Sequence, residues 1–280
     1  MFADDTKIFR EINSIEDSVI LQEDLTKLLQ WSNKWLLKFH PDKCISLSIN
    51  KKQENEVHYK LGDHTLQAAD QEKDIGVIID KDLSFSQHMN DKINKANRIV
   101  GMIRGSFRYL TEETFLQLYK AIIRPHLEYA NCIWYPCKKK DITQVENVQR
   151  RATKLIPSIK DLSYEERLKK LRLPTLTYRR ARGDMIETYK MLSGEYDPEV
   201  NNLLRPSTDS ATRGHSKKLF LQRAEKTVRQ SYFTIRIVKL WNSLPSDVVT
   251  APSLPSFERR FDRTMRNHEG VYNYQALLYN

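Results

Sequence analysis

The chain has 280 residues, 40% of them apolar and 10% aromatic, which excludes a disordered chain and allows one large or two small cored domains. No apolar run reaches the roughly 18 residues that cross a bilayer, and the charge at Asp4 argues against a signal peptide. The net charge of +10 divides unevenly: residues 1–90 carry 11 Lys+Arg against 16 Asp+Glu, residues 91–280 carry 35 against 20, so an acidic front precedes a basic rear suited to a polyanion.

In chain order, Met1 to Phe9 reads as two short β-prone segments around the pair Asp4-Asp5. A turn there would hold two like charges together, which are comfortable only beside a cation or in water. Ser14 and Asp17 are spaced as a capping box. Leu21, Leu25, Leu28, Leu29 and Leu36 follow at helical spacing, with Trp31 and Trp35 expected in the core, and His40-Pro41-Asp42 is expected to end that helix. Ile45, Leu47 and Ile49 alternate as a half-buried strand, as do Val57, Tyr59 and Leu61 before a Gly62-Asp63 turn. Residues 75–79 read as a compact apolar strand ending at Asp80.

From residue 86 the pattern turns helical. Met89, Ile93, Ala96 and Val100 share a face, with Lys92, Lys95 and Arg98 off it. Thr111 is an expected N-cap for a helix carrying Phe115, Leu118, Tyr119, Ile122 and Ile123, kinked or restarted at Pro125. Ile142, Val145, Val148, Ala152, Leu155 and Ile156 form a stripe from which Arg150, Arg151 and Lys154 lean away. Ser163 and Glu166 form a second capping box for a helix stopping at Leu173-Pro174, and Ala181, Met185, Tyr189 and Leu192 mark another, closed by Gly194. Residues 197–218 read as a linker. A buried segment around Ile237, Val238 and Trp241 follows, and then a tail broken by Pro245, Pro252 and Pro255 before the basic stretch from Arg259 to Arg266. Cys44, Cys132 and Cys137 lack a paired framework or a zinc set, which implies reduced thiols in a cytosolic or nuclear protein. His40, His88 and His126 are isolated and form neither a triad nor a metal set.

Several of these segments, in this order, resemble the C-terminal part of a reverse transcriptase from a non-LTR (LINE-type, jockey/CR1-like) retrotransposon. Phe2-Ala3-Asp4-Asp5 is similar to the aromatic-Ala-Asp-Asp box of the palm. Trp31 to Lys43 resembles the next palm motif, ending in lysine, and Asp74-Ile75-Gly76-Val77 with Asp80, Leu83, Phe85 and His88 resembles the hairpin that grips the primer. The stretch from Leu118 to Ala130 with Trp134 is similar to the thumb. Val145-Glu146 with Gln149 to Ala152, and Trp241 to Pro245, resemble segments found further along such elements.

The resemblance implies an α+β fold. Residues 1–85 would form a partial palm of short antiparallel strands plus one helix, 86–196 a helical thumb-like region, 197–218 a linker and 219–280 a helical tail. It implies RNA-directed DNA polymerase ancestry, with Mg²⁺ (or Mn²⁺) at Asp4 and Asp5, Lys43 as a catalytic lysine near the leaving pyrophosphate, and Ile75, Gly76 and Val77 at the primer grip. An RNA template, a DNA primer and deoxynucleotide triphosphates would be the partners of the full-length parent, with no membrane. Because residue 1 falls inside the metal box, the fingers and the palm strand bearing the first metal-binding aspartate are expected to be absent. The chain is then expected to be a fragment that cannot polymerise alone, with a two-ion clamp holding only part of its ligands.

Lys95, Arg98, Arg150, Arg151 and Lys154 are the expected phosphate contacts. Plainer readings stand beside these: Lys43 as a surface lysine, Gly76 as an ordinary hairpin glycine, and the cations as solvated helix faces. The alternative functions are a non-catalytic basic nucleic-acid binder and an inert retrotransposon relic.

Overall fold

The structure is a computed structural model that describes residues 6–49, 57–207 and 214–278. The expected Asp4-Asp5 turn, with the exposed strand edge expected beside it, lies outside the described residues. The chain divides into two compact units, Met1–Ser84 and Phe85–Asn280, and the fold is mixed, helices with short strands.

In the first unit, α1 (Ile15–Trp35) starts at the expected capping box: Ser14 accepts from the Asp17 amide and Asp17 accepts from the Ser14 amide. It stops at Leu36, in the left-handed region at φ 57°, short of His40-Pro41. The inward stripe is Ser18, Leu21, Leu25, Leu29 and Ser32. Its leucines pack on Tyr59, Leu61 and Leu66, while the two serines at its ends are buried. Trp31 and Trp35, expected in the core, are 43% and 59% exposed. Each lies ten residues after a stripe leucine, hence about 80° around the helix from it.

Among the described residues the strands are β1 (Ile45–Leu47), β2 (Lys60–Leu61), β3 (His64–Thr65), β4 (Gln67–Ala69), β5 (Gln71–Asp74) and β6 (Val77–Asp80), joined there only in pairs. β2–β3 and β5–β6 are antiparallel hairpins, but β1 pairs with β4 in parallel, with Ile45 opposite Gln67. This corrects the all-antiparallel expectation. Residues 48–66 are long enough for the crossover that a parallel pair needs. Isolated pairs are marginal in water, and here β2 leans on α1. The Gln22 side chain both donates to the Lys60 carbonyl and accepts from its amide, each at 2.8 Å.

The second unit is helical. α2 (Ser86–Ser106) buries Met89, Ala96 and Ile103. α3 (Glu112–Leu118), capped by Thr111 as expected, runs into a π-helical turn at Tyr119–Ile123 and then α4 (Arg124–Glu128). Pro125 has no N–H to donate, and just before it the Arg124 amide reaches back five residues to the Tyr119 carbonyl. Phe115, Tyr119 and Ile123 are fully buried, with Val145, Val148 and Ala152 of α5 (Lys139–Thr153) in the same cluster. α6 (Tyr164–Leu171) begins at the Ser163–Glu166 capping box, and α7 (Leu176–Leu192) follows.

Two single-turn helices, α8 (Pro198–Asn201) and α9 (Thr227–Gln230), precede α10 (Phe233–Ser243); α11 (Ser246–Val249) and α12 (Leu254–Met265) complete the unit. Residues on both sides of the expected linker share one cluster, with Met185 and Tyr189 of α7 beside Trp241 and Phe257. Where the prolines read as a broken tail, α12 carries Pro255 in its first turn and buries Phe257, Phe261 and Met265 at i, i+4, i+8.

Candidate nucleic-acid interface

The expected catalytic residues are only partly within the described chain. Asp4 and Asp5 lie outside it, so their fit to a metal ion has no geometry here. Among the described residues no group of three His, Cys, Asp or Glu side chains is placed to hold a metal ion. Two other carboxylates of the first unit, Asp74 and Asp80, have structural tasks. Asp74 pairs with Lys7. Asp80 accepts from the Ser84 amide at 2.9 Å and the Asp82 amide at 3.2 Å, closing the turn after β6. Lys43 is the exposed last residue of the 3₁₀ turn Pro41–Lys43, separated from β1 by Cys44.

Ile75 and Gly76 do not continue a strand. They are the two-residue turn between β5 and β6, with φ of 42° and 79°, and Asp74 faces Val77 across it. Positive φ at both central positions is the type I′ pattern, whose right-handed twist matches that of the flanking strands. Gly76 is therefore required by the turn. Ile75 stands 55% exposed at the hairpin tip while Val77 is 2% exposed. The three expected primer-grip residues thus differ: a strained exposed tip, a turn glycine and a buried anchor.

The expected phosphate-binding cations all belong to the second unit. On α2, Lys95 bonds to Asp91 at 2.9 Å, and Lys92 lies 3.9 Å from the same carboxylate. The Lys95 bond holds the Asp91 carboxyl below its ordinary range. Arg98 is exposed one turn further. On α5, Arg151 and Lys154 are exposed and Arg150 is half-buried.

Arg150 and Lys154 line an open basin of about 480 Å³ with Lys160, Asp161, Leu162, Ser163, Tyr164 and Arg167. Arg151, Lys95 and Arg98 do not line it. Sequence reasoning missed Lys160, Tyr164 and Arg167. The local signal for Tyr164 and Arg167 was the capping box, which starts α6 with those residues in its first turns.

The basin is built around two guanidinium groups. Arg150 stacks between two rings, its Cζ 5.1 Å from the centroid of Tyr164 and 5.5 Å from that of Tyr274. Arg167 is 2% exposed and donates to neutral oxygens: Thr153 Oγ1 at 3.1 Å, the Leu162 carbonyl at 2.6 Å and the Arg150 carbonyl at 3.3 Å. Burial pulls its pKa down from the usual arginine value. Its Cζ also lies 5.6 Å from the Tyr164 ring, so that ring serves both cations.

Tyr164 is held from behind. Its hydroxyl donates to Glu146 at 2.5 Å and accepts from Gln149 Nε2 at 3.0 Å, while Gln149 Oε1 accepts from Tyr119. Burial raises the Glu146 pKa, although Glu146 also accepts from the Leu176 amide at 3.0 Å. Burial first, then the adjacent Glu146 carboxylate, drive the Tyr164 phenol far above its ordinary pKa, so it stays neutral. What this arrangement can do chemically is present a fixed, planar guanidinium at Arg150, with lysines beside it, to an anion.

Comparison with known proteins gives matches to polymerases of mobile elements. The chain is 26% identical over 161 residues to the probable RNA-directed DNA polymerase from transposon BS of Drosophila melanogaster, covering 55% of this chain and 18% of that protein. It is 22% identical over 238 residues to the RNA-directed DNA polymerase from mobile element jockey of Drosophila funebris, covering 80% and 25%. Against the probable RNA-directed DNA polymerase from transposon X-element of Drosophila melanogaster the identity is 21% over 159 residues, covering 55% and 18%. The chain thus spans about a fifth to a quarter of the length of these relatives. No family model and no solved structure matches. Polymerases of three separate mobile elements match at low identity over half or more of the chain, and it is to the RNA-directed DNA polymerases of LINE-type mobile elements that this chain is similar.

Proposed function

We propose that this chain serves as part of a mobile-element reverse transcriptase, with residues 1–84 contributing to the palm and the basic helical unit holding template and primer as a thumb. The observation that carries this reading is the set of matches to the BS, jockey and X-element polymerases. The excess of cations in residues 91–280 supports it, because backbone phosphates are bound through Lys and Arg without regard to sequence. Lys95, Arg98, Arg150, Arg151 and Lys154 are the proposed phosphate contacts. An RNA template, a DNA primer and deoxynucleotide triphosphates are the proposed partners of the whole polymerase, acting in the nucleus or cytosol. No described helix is long and apolar enough to cross a membrane.

In this reading Asp4 and Asp5 would hold Mg²⁺, which when bound supplies charge neutralisation at the transferring phosphate. Lys43, exposed on its turn, is free to reach a phosphate leaving group. The tip at Ile75 and Gly76 supports a primer-facing role, because strain of this kind is retained where surrounding structure and function over-determine it. Asp74 and Asp80 are committed to an ion pair and a turn, so neither is available to complete a two-ion site. These 280 residues alone are therefore expected to bind a primed template without extending it.

Primer extension on a primed RNA template, with Asp4→Ala and Asp5→Ala alongside, tests the reading. Duplex binding that weakens with salt, with no extension, is the expected result. Metal-dependent extension abolished by either substitution would show the chain competent by itself, and no duplex binding at any salt would remove the thumb assignment.

A further inference from the structure

The basin between α5 and α6 is lined by four cations and one carboxylate, Asp161, and glutamates on α3 and α6 are engaged with other partners. Glu165 pairs with Lys169 at 2.7 Å, Glu112 lies 3.3 Å from Lys170, and Glu166 is taken by the Ser163 amide at 2.8 Å. None of Arg150, Lys154, Lys160 and Arg167 enters an ion pair among the described residues, and Asp161 is the single acidic group lining the basin. Arg150 Nε is buried with no hydrogen-bond partner among the described residues. Ordinarily a buried cation is matched by a carboxylate, because stripping its water without a counter-charge is costly. Here two adjacent guanidiniums share one aromatic ring and neither has one. Their planes are fixed before any ligand arrives, by stacking for Arg150 and by neutral acceptors for Arg167. Lys154 and Lys160, which also line the basin, are exposed, and a long lysine side chain can adjust its ammonium to a ligand.

We propose that this basin is a phosphate site that takes a phosphodiester group of a nucleic-acid strand, with Arg150 as its fixed donor and Lys154 and Lys160 as flexible partners. Planar guanidinium donors match phosphate oxygens two at a time, whereas ammonium groups add charge without fixing orientation. Arg167 sets the local potential and holds the Arg150 carbonyl; it is a positioning residue. The proposal rests on the reading of the chain as a holder of template and primer, and adds to it the place where one strand is gripped.

The test uses the full chain, with Lys154→Gln/Lys160→Gln as the basin variant and Lys217→Gln/Arg223→Gln as a control of equal charge loss. All four lysine and arginine positions are exposed, and circular dichroism should show wild-type spectra for both variants. Binding of an RNA–DNA duplex is measured by fluorescence anisotropy against salt, and melting is measured in phosphate and in chloride at equal ionic strength. The basin variant should flatten the slope of log Kd against log salt by about one to two, from the phosphates no longer neutralised, with about tenfold weaker binding at low salt. The control should change the slope by less than half as much. Phosphate should raise the wild-type Tm and leave that of the basin variant unmoved.

Equal slopes for the two variants, when wild type binds the duplex, would overturn the basin while leaving the duplex-holding reading intact. If wild type does not bind the duplex, that reading fails. A phosphate-dependent rise in Tm lost in the basin variant would then identify a site for free phosphate, and no such rise would overturn the basin as well.

Discussion

His88 shows how much a single side chain in the helical unit depends on its surroundings. It lies in the first turn of α2, fully buried, with the Trp134 ring edge-on at 5.1 Å. Desolvation, reinforced by the nearby Lys92 cation, lowers its pKa to about 4. In the unfolded chain an imidazole titrates near 6.5. Between those values the unfolded state binds the proton and the folded state does not. The stability tied to a neutral His88 is therefore complete above about pH 6.5 and is lost as pH falls toward 4, by on the order of 3 kcal/mol in total. Thermal melts at pH 7 and pH 5 should show a drop in Tm that is smaller in His88→Phe than in wild type; identical drops would mean that the imidazole is solvated. Arg167 makes the complementary point: its role follows from having hydrogen bonds without a counter-charge, which its position in α6 does not reveal.

At the scale of elements, the β5–β6 hairpin is built against local preference. A type I′ turn favours Asn-Gly, and a β-branched residue at positive φ is disfavoured by contact between its Cβ and the backbone. Ile75 occupies that position at φ 42°. Replacing it with Asn should stabilise the first unit by about 1 kcal/mol, read from the midpoint of urea unfolding followed in that unit by amide exchange. A destabilised hairpin would show that the exposed isoleucine is held by packing. If Ile75 meets the primer, the same change should weaken primer binding while stabilising the fold.

Other elements were open to reading along the chain. The capping boxes at Ser14 and Ser163, the Thr111 cap and the α5 stripe are local patterns of caps and 3.6-residue periodicity, and the folded chain keeps them. Misreadings arose where a pattern had two meanings. Three prolines looked like breakers, yet Pro255 opens α12, where a missing N–H costs nothing. Trp31 and Trp35 looked like core because of their size, yet the buried stripe of α1 passes through Ser18 and Ser32 instead.

For the whole molecule, charge and core separate together. The acidic residues 1–90 largely coincide with the small unit ending at Ser84, and the basic residues with the unit from Phe85 onward. The small unit has the Tyr59, Leu61 and Leu66 cluster, and the large one has its own two clusters. Residues 85–280 expressed alone should therefore melt cooperatively by circular dichroism. They should bind a duplex with the same salt slope as the full chain, between about 50 and 200 mM salt, because every proposed phosphate contact lies within them. A shallower slope would mean that cations of the first unit, Lys43 among them, also meet the strand.

By itself, the sequence determined the helix periods, the caps, the charge asymmetry and the likeness to a polymerase of mobile elements, since each is a matter of neighbouring residues or their order. Only the tertiary structure decided that β1 runs parallel to β4, that Ile75 and Gly76 form a turn, and that Arg150 and Arg167 face one basin with no ion pair to either among the described residues. The physical reason is distance through space. Tyr274, which bonds to Arg150 at 3.3 Å, is 124 residues away along the chain, and a cation's missing partner is a property of everything folded around it.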